Sequence, residues 1–473
     1  MSRSALTSLF VASVVLVIAL GTLLAVPGAS LGRNGTATGL LVFALAISGW
    51  QLTMTAIAPR PAVASMMVHL FFVFFLIVPA LFQLATNTYA HDMSIYKEAT
   101  ATKAAILVLL FVLCFAAGGA LGPKRLDRAL RTVEACERRR RGALVIAFVL
   151  AAAAIALGAI LAFGLDTLVA NRTAVSTHMA EEETKATAGL FLDLPRAITF
   201  CAVLAVLYLF GRRAGRRGDK RRTAAILLGL LILPLFAIVN YPQSLPRFWL
   251  FGMAIAVLLL YLDLRRVRNR LLVIAGMAGG AYTLFPLVRD LTTTESLGPD
   301  IGMRPVAEEL ITGDFDGFEM IMNIVIAVER FGHTLGHQLA SALLFFVPRA
   351  LWEGKAVPSG YYTAEKLSFH FTNLSAPAPG ELYLDFSYPG VVIGALAVGY
   401  AYRKADTLYA ASLAFGGVSL HRIQAAMLAG FTIILMRGAL LAVIALIATS
   451  FAAIWLLIAG PRVGRFVGGR ARA

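Results

Sequence analysis

Solid apolar runs of roughly 20 residues recur along the chain, separated by short polar connections. Each run can cross about 30 Å of hydrocarbon as an α-helix. An outer-membrane barrel would instead show alternating segments of about ten residues. The pattern therefore predicts an all-α polytopic membrane protein.

The runs predict about twelve transmembrane helices. The first follows Met-Ser-Arg, is long for the apolar core of a signal peptide, and lacks a clear cleavage site, so we expect it to stay as a span. The predicted spans are 5–27, 37–57, 63–86, 104–122, 142–163, 190–210, 223–240, 248–264, 271–287, 388–402, 421–436 and 438–459.

One long segment, residues 288–388, lacks a run of this kind and is predicted to be a large extracytoplasmic loop that carries the site. It divides the chain into nine predicted spans over 1–287, the loop, and three spans with a basic tail over 389–473. Residues 407–420 are predicted to be either a short in-plane helix or part of a span.

Composition agrees with a membrane protein, since 59% of the residues are hydrophobic and only 14% are charged. The formal net charge of +16 is concentrated in basic runs at 138–141, 211–222 and 265–270, on alternate connections. Positive connections face the cytoplasm and anionic lipid head groups. We therefore expect both termini inside a bacterial plasma membrane and no nucleic-acid partner.

Several arginines break this pattern, because they fall at the predicted outer ends of spans. A single one is explained by snorkelling or a local ion pair. Several near one membrane face favour a shared anionic ligand, since the guanidinium fork matches phosphate oxygens. They are Arg172, Arg196, Arg247, Arg289, Arg349 and Arg437.

The local sequence makes the prediction more specific at three of these positions. Arg247 ends a turn in which two prolines fix the backbone. Arg349 and Lys355 flank Trp352, an aromatic side chain suited to the interface or to stacking on a sugar ring. Arg437 lies directly between two predicted spans, so its head group must stay at the surface or point into the bundle.

Candidate acid–base residues lie in the same loop. His333 and His337 share one face of a helix, but the spacing lacks the glutamate of the HExxH zinc motif. Either could accept a proton near neutral pH, and both could equally be interfacial polar residues. Glu381, Tyr383 and Asp385 cluster before the next span. The three cysteines, Cys114, Cys136 and Cys201, show no zinc spacing, and none lies in the loop.

The order of FVPRALWEGK, NLSAPAPGELYLDFSYPG and a glycine-rich span, with the earlier NYPQSLPR turn and Arg437-Gly438, resembles bacterial oligosaccharide repeat unit polymerases of the Wzy type. The motifs cover the chain from about residue 240 onward. Where that family has Trp-Pro-x-Lys-Pro, this chain has Trp352-Glu-Gly-Lys355-Ala, which leaves the local backbone less constrained.

The resemblance implies a membrane-embedded glycosyltransferase, similar to the GT-C-like enzymes, that joins glycans carried on polyprenyl pyrophosphate without metal or cofactor. Arg247, Arg349 and Arg437 would bind pyrophosphate first, then Arg172, Arg196 and Lys355. His333 or His337 would be the base, with Glu381 next, and Trp352 and Tyr383 would stack on sugar. A flippase and a chain-length regulator are expected partners.

Two alternatives remain open. A ligase that moves a finished glycan to another acceptor would use the same arginines and base. A transporter would place ionisable residues at mid-membrane and show paired interrupted spans. Here ionisable residues are nearly absent from the middle of the predicted spans, with His69 as the main exception. Their near absence favours interfacial chemistry over transport.

Overall fold

The computed structural model describes residues 34–91, 96–137, 141–170, 185–211, 220–284, 287, 305–372, 374–415 and 417–468. The regular elements among them are helices. In the first half they are α1 (Gly35–Ile57), α2 (Val63–Thr86), α3 (Glu98–Leu121), α4 (Leu126–Glu137), α5 (Gly142–Phe163), α6 (Leu165–Leu168), α7 (Lys185–Gly211), α8 (Lys220–Val239), α9 (Arg247–Tyr261) and α10 (Val267–Tyr282). In the second half they are α11 (Val306–Glu309), α12 (Gly317–Phe331), α13 (His337–Leu343), α14 (Ser359–Lys366), α15 (Ala378–Ser412), α16 (Leu420–Arg437) and α17 (Leu440–Gly468). A single 3-10 turn, Pro242–Ser244, joins α8 to α9.

Eight of the described helices are long and apolar enough to cross a membrane: α1, α2, α3, α5, residues 192–211 of α7, residues 222–239 of α8, α15, and residues 440–460 of α17. The prediction of an all-α polytopic protein is confirmed at this level. Helices also occupy most of the predicted spans at 248–264 and 271–287, as α9 and α10, and all of the span at 421–436, as α16. The count of twelve stays a prediction, and its first span, 5–27, lies outside the described residues.

Close approach of backbones holds two pairs of helices together. A Cβ atom on Gly399 of α15 would lie 2.1 Å from the Phe115 carbonyl oxygen of α3. A Cβ atom on Gly430 of α16 would lie 2.3 Å from the Gly252 carbonyl oxygen of α9. Small residues at such crossings let apolar helices pack by van der Waals contact where water-driven burial is weak.

The connection at 123–141, predicted to be cytoplasmic, forms the amphipathic helix α4. Its buried positions Ala129, Val133 and Cys136 follow a helical spacing, and charged residues occupy the other faces. Ala129 and Val133 pack against Ala411 near the end of α15. This end of the bundle therefore carries a packed amphipathic helix rather than an open loop.

The predicted loop is folded tightly onto the opposite end of the bundle. Every residue of α12 from Gly317 to Val328 is buried, and α12 packs against α2, α3, α14 and α15. The side chain of Gln83, near the end of α2, donates hydrogen bonds to the carbonyls of Leu310 and Phe315 at 2.8 and 3.0 Å. The predicted boundary at 388 lies inside α15, which begins at Ala378 and bends at Phe386 and Ser387.

Candidate functional site

The turn before α12 is the centre of a charged cluster. Its two carboxylates, Asp314 and Asp316, are almost fully buried. Asp314 accepts a hydrogen bond from Nη1 of Arg247 at 3.1 Å. Asp316 accepts one from Nη2 of Arg437 at 3.0 Å and one from Ser375 at 2.8 Å. Two of the arginines predicted to share an anionic ligand are thus brought to one turn.

Arg437 makes several further contacts at this turn. Its Nε donates to the Asp314 carbonyl at 3.2 Å and its Nη2 to the Gly313 carbonyl at 2.5 Å. Its guanidinium carbon lies 4.6 Å from the centre of the Phe248 ring, a cation–π distance. The side chain remains 15% exposed, so the group has a fixed orientation while one edge stays accessible.

His91 adds a third basic group to the cluster. Its Nε2 lies 3.5 Å from Oδ2 of Asp316. Burial lowers the pKa of His91, but the contact with Asp316 and the charges of Glu319 and Asp316 outweigh it, so the net pKa lies above the ordinary value. Burial would raise the pKa of Asp316, yet Arg437 and His91 hold it below its usual range. The cluster therefore favours a charged His91 and a charged Asp316.

Glu319 fixes the segment that carries His91. Its carboxylate accepts hydrogen bonds from the backbone N–H groups of Ala90 and His91 at 3.0 and 3.2 Å. The hydroxyl of Tyr96 lies 2.9 Å from both Glu319 and Asn323. Burial raises the pKa of Glu319, with His91 and Tyr96 opposing that rise. These bonds tie the α2–α3 connection to α12.

Arg247 is positioned by the proline-containing turn that the sequence singles out. Behind the turn lies Arg196, buried, whose Nη2 donates to the Ser244 carbonyl at 3.3 Å and whose Nη1 lies 3.9 Å from Asp193. Asn240 donates to the hydroxyl of Thr199 at 3.0 Å. Arg196 therefore braces the turn from inside the bundle. Arg172 and Arg289 lie outside the described residues.

An apolar groove of about 540 Å³ begins beside this cluster. It lies between α9, α10 and α16, with Phe248 at one end and Leu262 at the other. At 1.5 Å per residue, that stretch of α9 is about 20 Å long. Since the Arg437 guanidinium stacks on the Phe248 ring, the charged cluster and the apolar groove adjoin.

Arg349 and Lys355 do not join the arginine cluster by any described contact. Arg349 donates to the carbonyls of Lys355 and Ala356 at 2.6 and 2.7 Å. The ammonium of Lys355 donates to the carbonyls of Leu344, Phe345 and Val347. Burial, together with the Arg349 charge, lowers the pKa of Lys355. Both cations therefore bind and stabilise the local backbone.

The prediction that His333 and His337 share one face of a helix is wrong, because α13 begins at His337 and the backbone between the two residues turns at Leu335 and Gly336, both with positive φ. Nδ1 of His333 is 3.0 Å from the Tyr383 carbonyl, and the two rings meet edge to face at 5.3 Å. The ring of His337, an exposed residue, lies 5.9 Å from that of Trp352. Tyr383 is buried. Trp352 is half-buried and remains the more accessible of the two aromatic residues.

Glu381 lies beside the junction of α16 and α17. It accepts hydrogen bonds from the Ser359 hydroxyl at 2.6 Å and from the Leu440 N–H at 3.0 Å. Leu440 is the first residue of α17, where the helix dipole favours a carboxylate. Glu381 is only partly buried, and Leu440 follows Arg437 by three residues. Glu381 is therefore hydrogen-bonded to a residue that lies three positions after Arg437 of the arginine cluster.

Sequence reasoning missed Asp314, Asp316 and His91. The two aspartates form a D-x-D pair at Asp314-Phe315-Asp316 that is visible in the sequence itself. His91 lies in a short connection, and only the folding of the loop against α2 and α3 brings it near. Within the described residues no group of three or more His, Cys, Asp or Glu side chains could hold a metal ion.

Comparisons with protein-family models, curated proteins and solved structures found no match to the chain.

Proposed function

We propose that this chain is a Wzy-type polymerase, a glycosyltransferase that extends polysaccharide from polyprenyl-pyrophosphate-linked repeat units at the outer face of the plasma membrane. The observation that carries the proposal is the meeting of Arg247 and Arg437 beside the end of the apolar groove. A lipid pyrophosphate has the matching shape, with a double phosphate joined to a long hydrocarbon chain.

In this proposal the donor lies with its isoprenoid chain in the groove and its pyrophosphate against the guanidinium groups. Asp314 and Asp316 hold those groups in fixed directions, so charge that develops on the leaving pyrophosphate meets oriented donors. Preorganised donors stabilise a transition state without reorganising during the reaction. Protonated His91 would add a third positive charge.

The acceptor sugar would lose its hydroxyl proton to the Glu381 carboxylate. Its oxygen forms a bond to the donor anomeric carbon, the bond from that carbon to the phosphate oxygen breaks, and polyprenyl pyrophosphate leaves. Attack in line with the leaving group inverts the anomeric centre. Glu381 is favoured over His333, because Glu381 contacts Leu440, three residues after Arg437, whereas the described contacts of His333 are with Tyr383. His337 stays a further candidate. Arginines can supply the electrostatic stabilisation that a metal would otherwise give.

The test uses the full chain in liposomes with a polyprenyl-pyrophosphate-linked repeat unit, and products are separated on a gel. We expect a ladder that survives chelator, is lost in Arg247→Ala and Arg437→Ala, and persists in Arg268→Ala. Arg268 is exposed in the first turn of α10, within the basic run 265–270 that is predicted to be cytoplasmic, so it controls for loss of positive charge.

Other outcomes would contradict the proposal. A single larger product that requires a second acceptor would indicate a ligase. Movement of the lipid-linked glycan between leaflets with no glycan transfer would indicate a transporter.

A further inference from the structure

Residues 335–351, here called the apolar wedge, present an unusual surface for a loop. Large apolar side chains project outward along it, with Leu335 85% exposed, Leu343 64%, Phe346 59% and Leu351 81%. Clusters of this kind on a protein surface mark an interaction site, whereas single exposed leucines do not. The wedge contains α13 and the turns that follow it.

Side chains of neighbouring segments cap the backbone at both ends of α13. Asp385 of α15 accepts hydrogen bonds from the N–H groups of Gln338 and Leu339 at the start of α13. At the other end, Lys355 caps the carbonyls of Leu344, Phe345 and Val347. In water such caps are dispensable, because solvent can bond these N–H groups and carbonyls. In hydrocarbon they are needed, since no water is present to pair an exposed polar group.

The wedge carries little charge of its own. Between Leu335 and Leu351 the charged or titratable side chains are His337 and Arg349. The Arg349 guanidinium donates hydrogen bonds to the carbonyls of Lys355 and Ala356. These bonds offset part of the free-energy cost of placing its charge in an apolar medium. The one exposed acidic residue nearby, Glu353, lies just beyond the wedge.

The wedge is also continuous with the apolar surface of helices that could span a membrane. It packs against α15 and α17, both long and apolar enough to span a membrane. Between it and the bend of α15 lies a second groove of about 570 Å³, lined by Leu335, Leu339, Phe386 and Ile393 among others. Ile393 is 68% exposed on α15. An apolar surface thus runs from a spanning helix onto the wedge without a polar break at these residues.

We infer that the apolar wedge inserts into the membrane without crossing it. Its exposed side chains then contact the hydrocarbon of the outer leaflet rather than water or a protein partner. It dips into the bilayer beside α15 and α17 and returns at Lys355. The part of the predicted extracytoplasmic loop that follows the wedge, beginning with Trp352, is then held at the membrane surface. This inference does not depend on the proposed function.

The test places a cysteine-reactive NBD fluorophore at Leu343→Cys or Leu351→Cys. The background is the full chain with Cys114, Cys136 and Cys201 replaced, reconstituted in nanodiscs. Doxyl-labelled lipid quenches probes in hydrocarbon, and iodide quenches probes in water. Ile393→Cys on α15 is the lipid-facing control, and Glu365→Cys on α14 is the aqueous control, since both side chains are exposed.

We expect the probes at 343 and 351 to behave like the probe at 393. Doxyl lipid should quench them strongly, and iodide should quench them several-fold less than it quenches the probe at 365. Behaviour like that at 365 would overturn the inference. Shielding from both quenchers would also overturn it and indicate a protein partner. If a variant fails to yield monodisperse protein, Phe346→Cys reports on the same surface.

Discussion

At the residue scale, the partner of each arginine separates binding candidates from structural ones. Arg247 and Arg437 meet carboxylates at a partly open turn, whereas Arg349 meets backbone carbonyls. The sequence predicts an anionic partner for outward arginines, but a carbonyl partner leaves no signature in residue types. For that reason the predicted role of Arg349 in pyrophosphate binding is the one that the geometry supports least.

The Asp316→Asn substitution tests the cluster at this scale. It leaves Arg437 and His91 facing a neutral amide in a nearly buried site, and losing one partner of a buried ion pair destabilises by roughly 3 kcal/mol. We expect a clear fall in the thermal unfolding temperature in detergent. Asp263→Asn is the matched control, because its pairs with Arg265 and Arg266 are largely exposed. Equal small effects would show that the Asp316 pairing contributes little.

The pKa of His91 gives a pH dependence with a definite sign. Because the folded protein holds this pKa above the ordinary 6.5, its stabilising contribution is complete below that value and is lost as pH rises through the folded pKa. The difference in unfolding temperature between the wild type and His91→Gln should therefore shrink from about pH 5 to about pH 9. His370→Gln, at an exposed position, should show no such trend. A constant difference for His91→Gln would contradict the pairing with Asp316.

At the element scale, the hydropathy pattern predicts the spanning helices well, because burial in lipid requires long apolar runs whatever their packing partners. The fold of residues 305–377 could not be predicted in this way. Gly317–Phe331 is a helix buried inside the predicted loop, and its burial depends on contacts with α2, α3 and α15. The bend at Phe386 and Ser387, by contrast, has a local cause in the sequence, since Pro389 cannot donate to the carbonyl of Asp385 and its ring clashes with that carbonyl.

The crossing of α3 and α15 leads to a prediction about helix packing. Gly399→Ala would place a methyl group 2.1 Å from the Phe115 carbonyl oxygen, so the two helices must separate. Overpacking of this kind costs roughly 1–3 kcal/mol. Unfolding in detergent should show that loss. Gly158→Ala, where no atom lies within 4 Å of the new methyl group, should be neutral or slightly stabilising. Similar unfolding temperatures for the two variants would contradict the close crossing.

At the scale of the whole molecule, four separate parts of the chain converge on one end of the bundle. They are the connection after α2, the turn before α9, the turn before α12, and the end of α16. The groove between α9, α10 and α16 then leads from that end along the bundle. The functional proposal depends on this joint arrangement, which neither the motifs nor the span pattern could predict.

The groove can be tested by filling it. Gly276 lines the groove on α10, and Gly276→Leu should obstruct a long isoprenoid chain. We expect a higher KM for a full-length polyprenyl donor and a smaller change for a donor with a short prenyl chain. Gly279→Leu is the matched control, since Gly279 is exposed on the same helix outside the groove lining. Equal effects of both variants on both donors would exclude the groove as the site of the chain.

The most direct test of the central claim is retention of the lipid pyrophosphate itself, measured by native mass spectrometry of the protein released from detergent. The account predicts that the wild type and Arg268→Ala retain polyprenyl pyrophosphate in preference to polyprenyl monophosphate, and that Arg247→Ala and Arg437→Ala lose this preference. Unchanged retention in both arginine variants would contradict the account, because the pyrophosphate would then bind somewhere other than the cluster at Asp314 and Asp316.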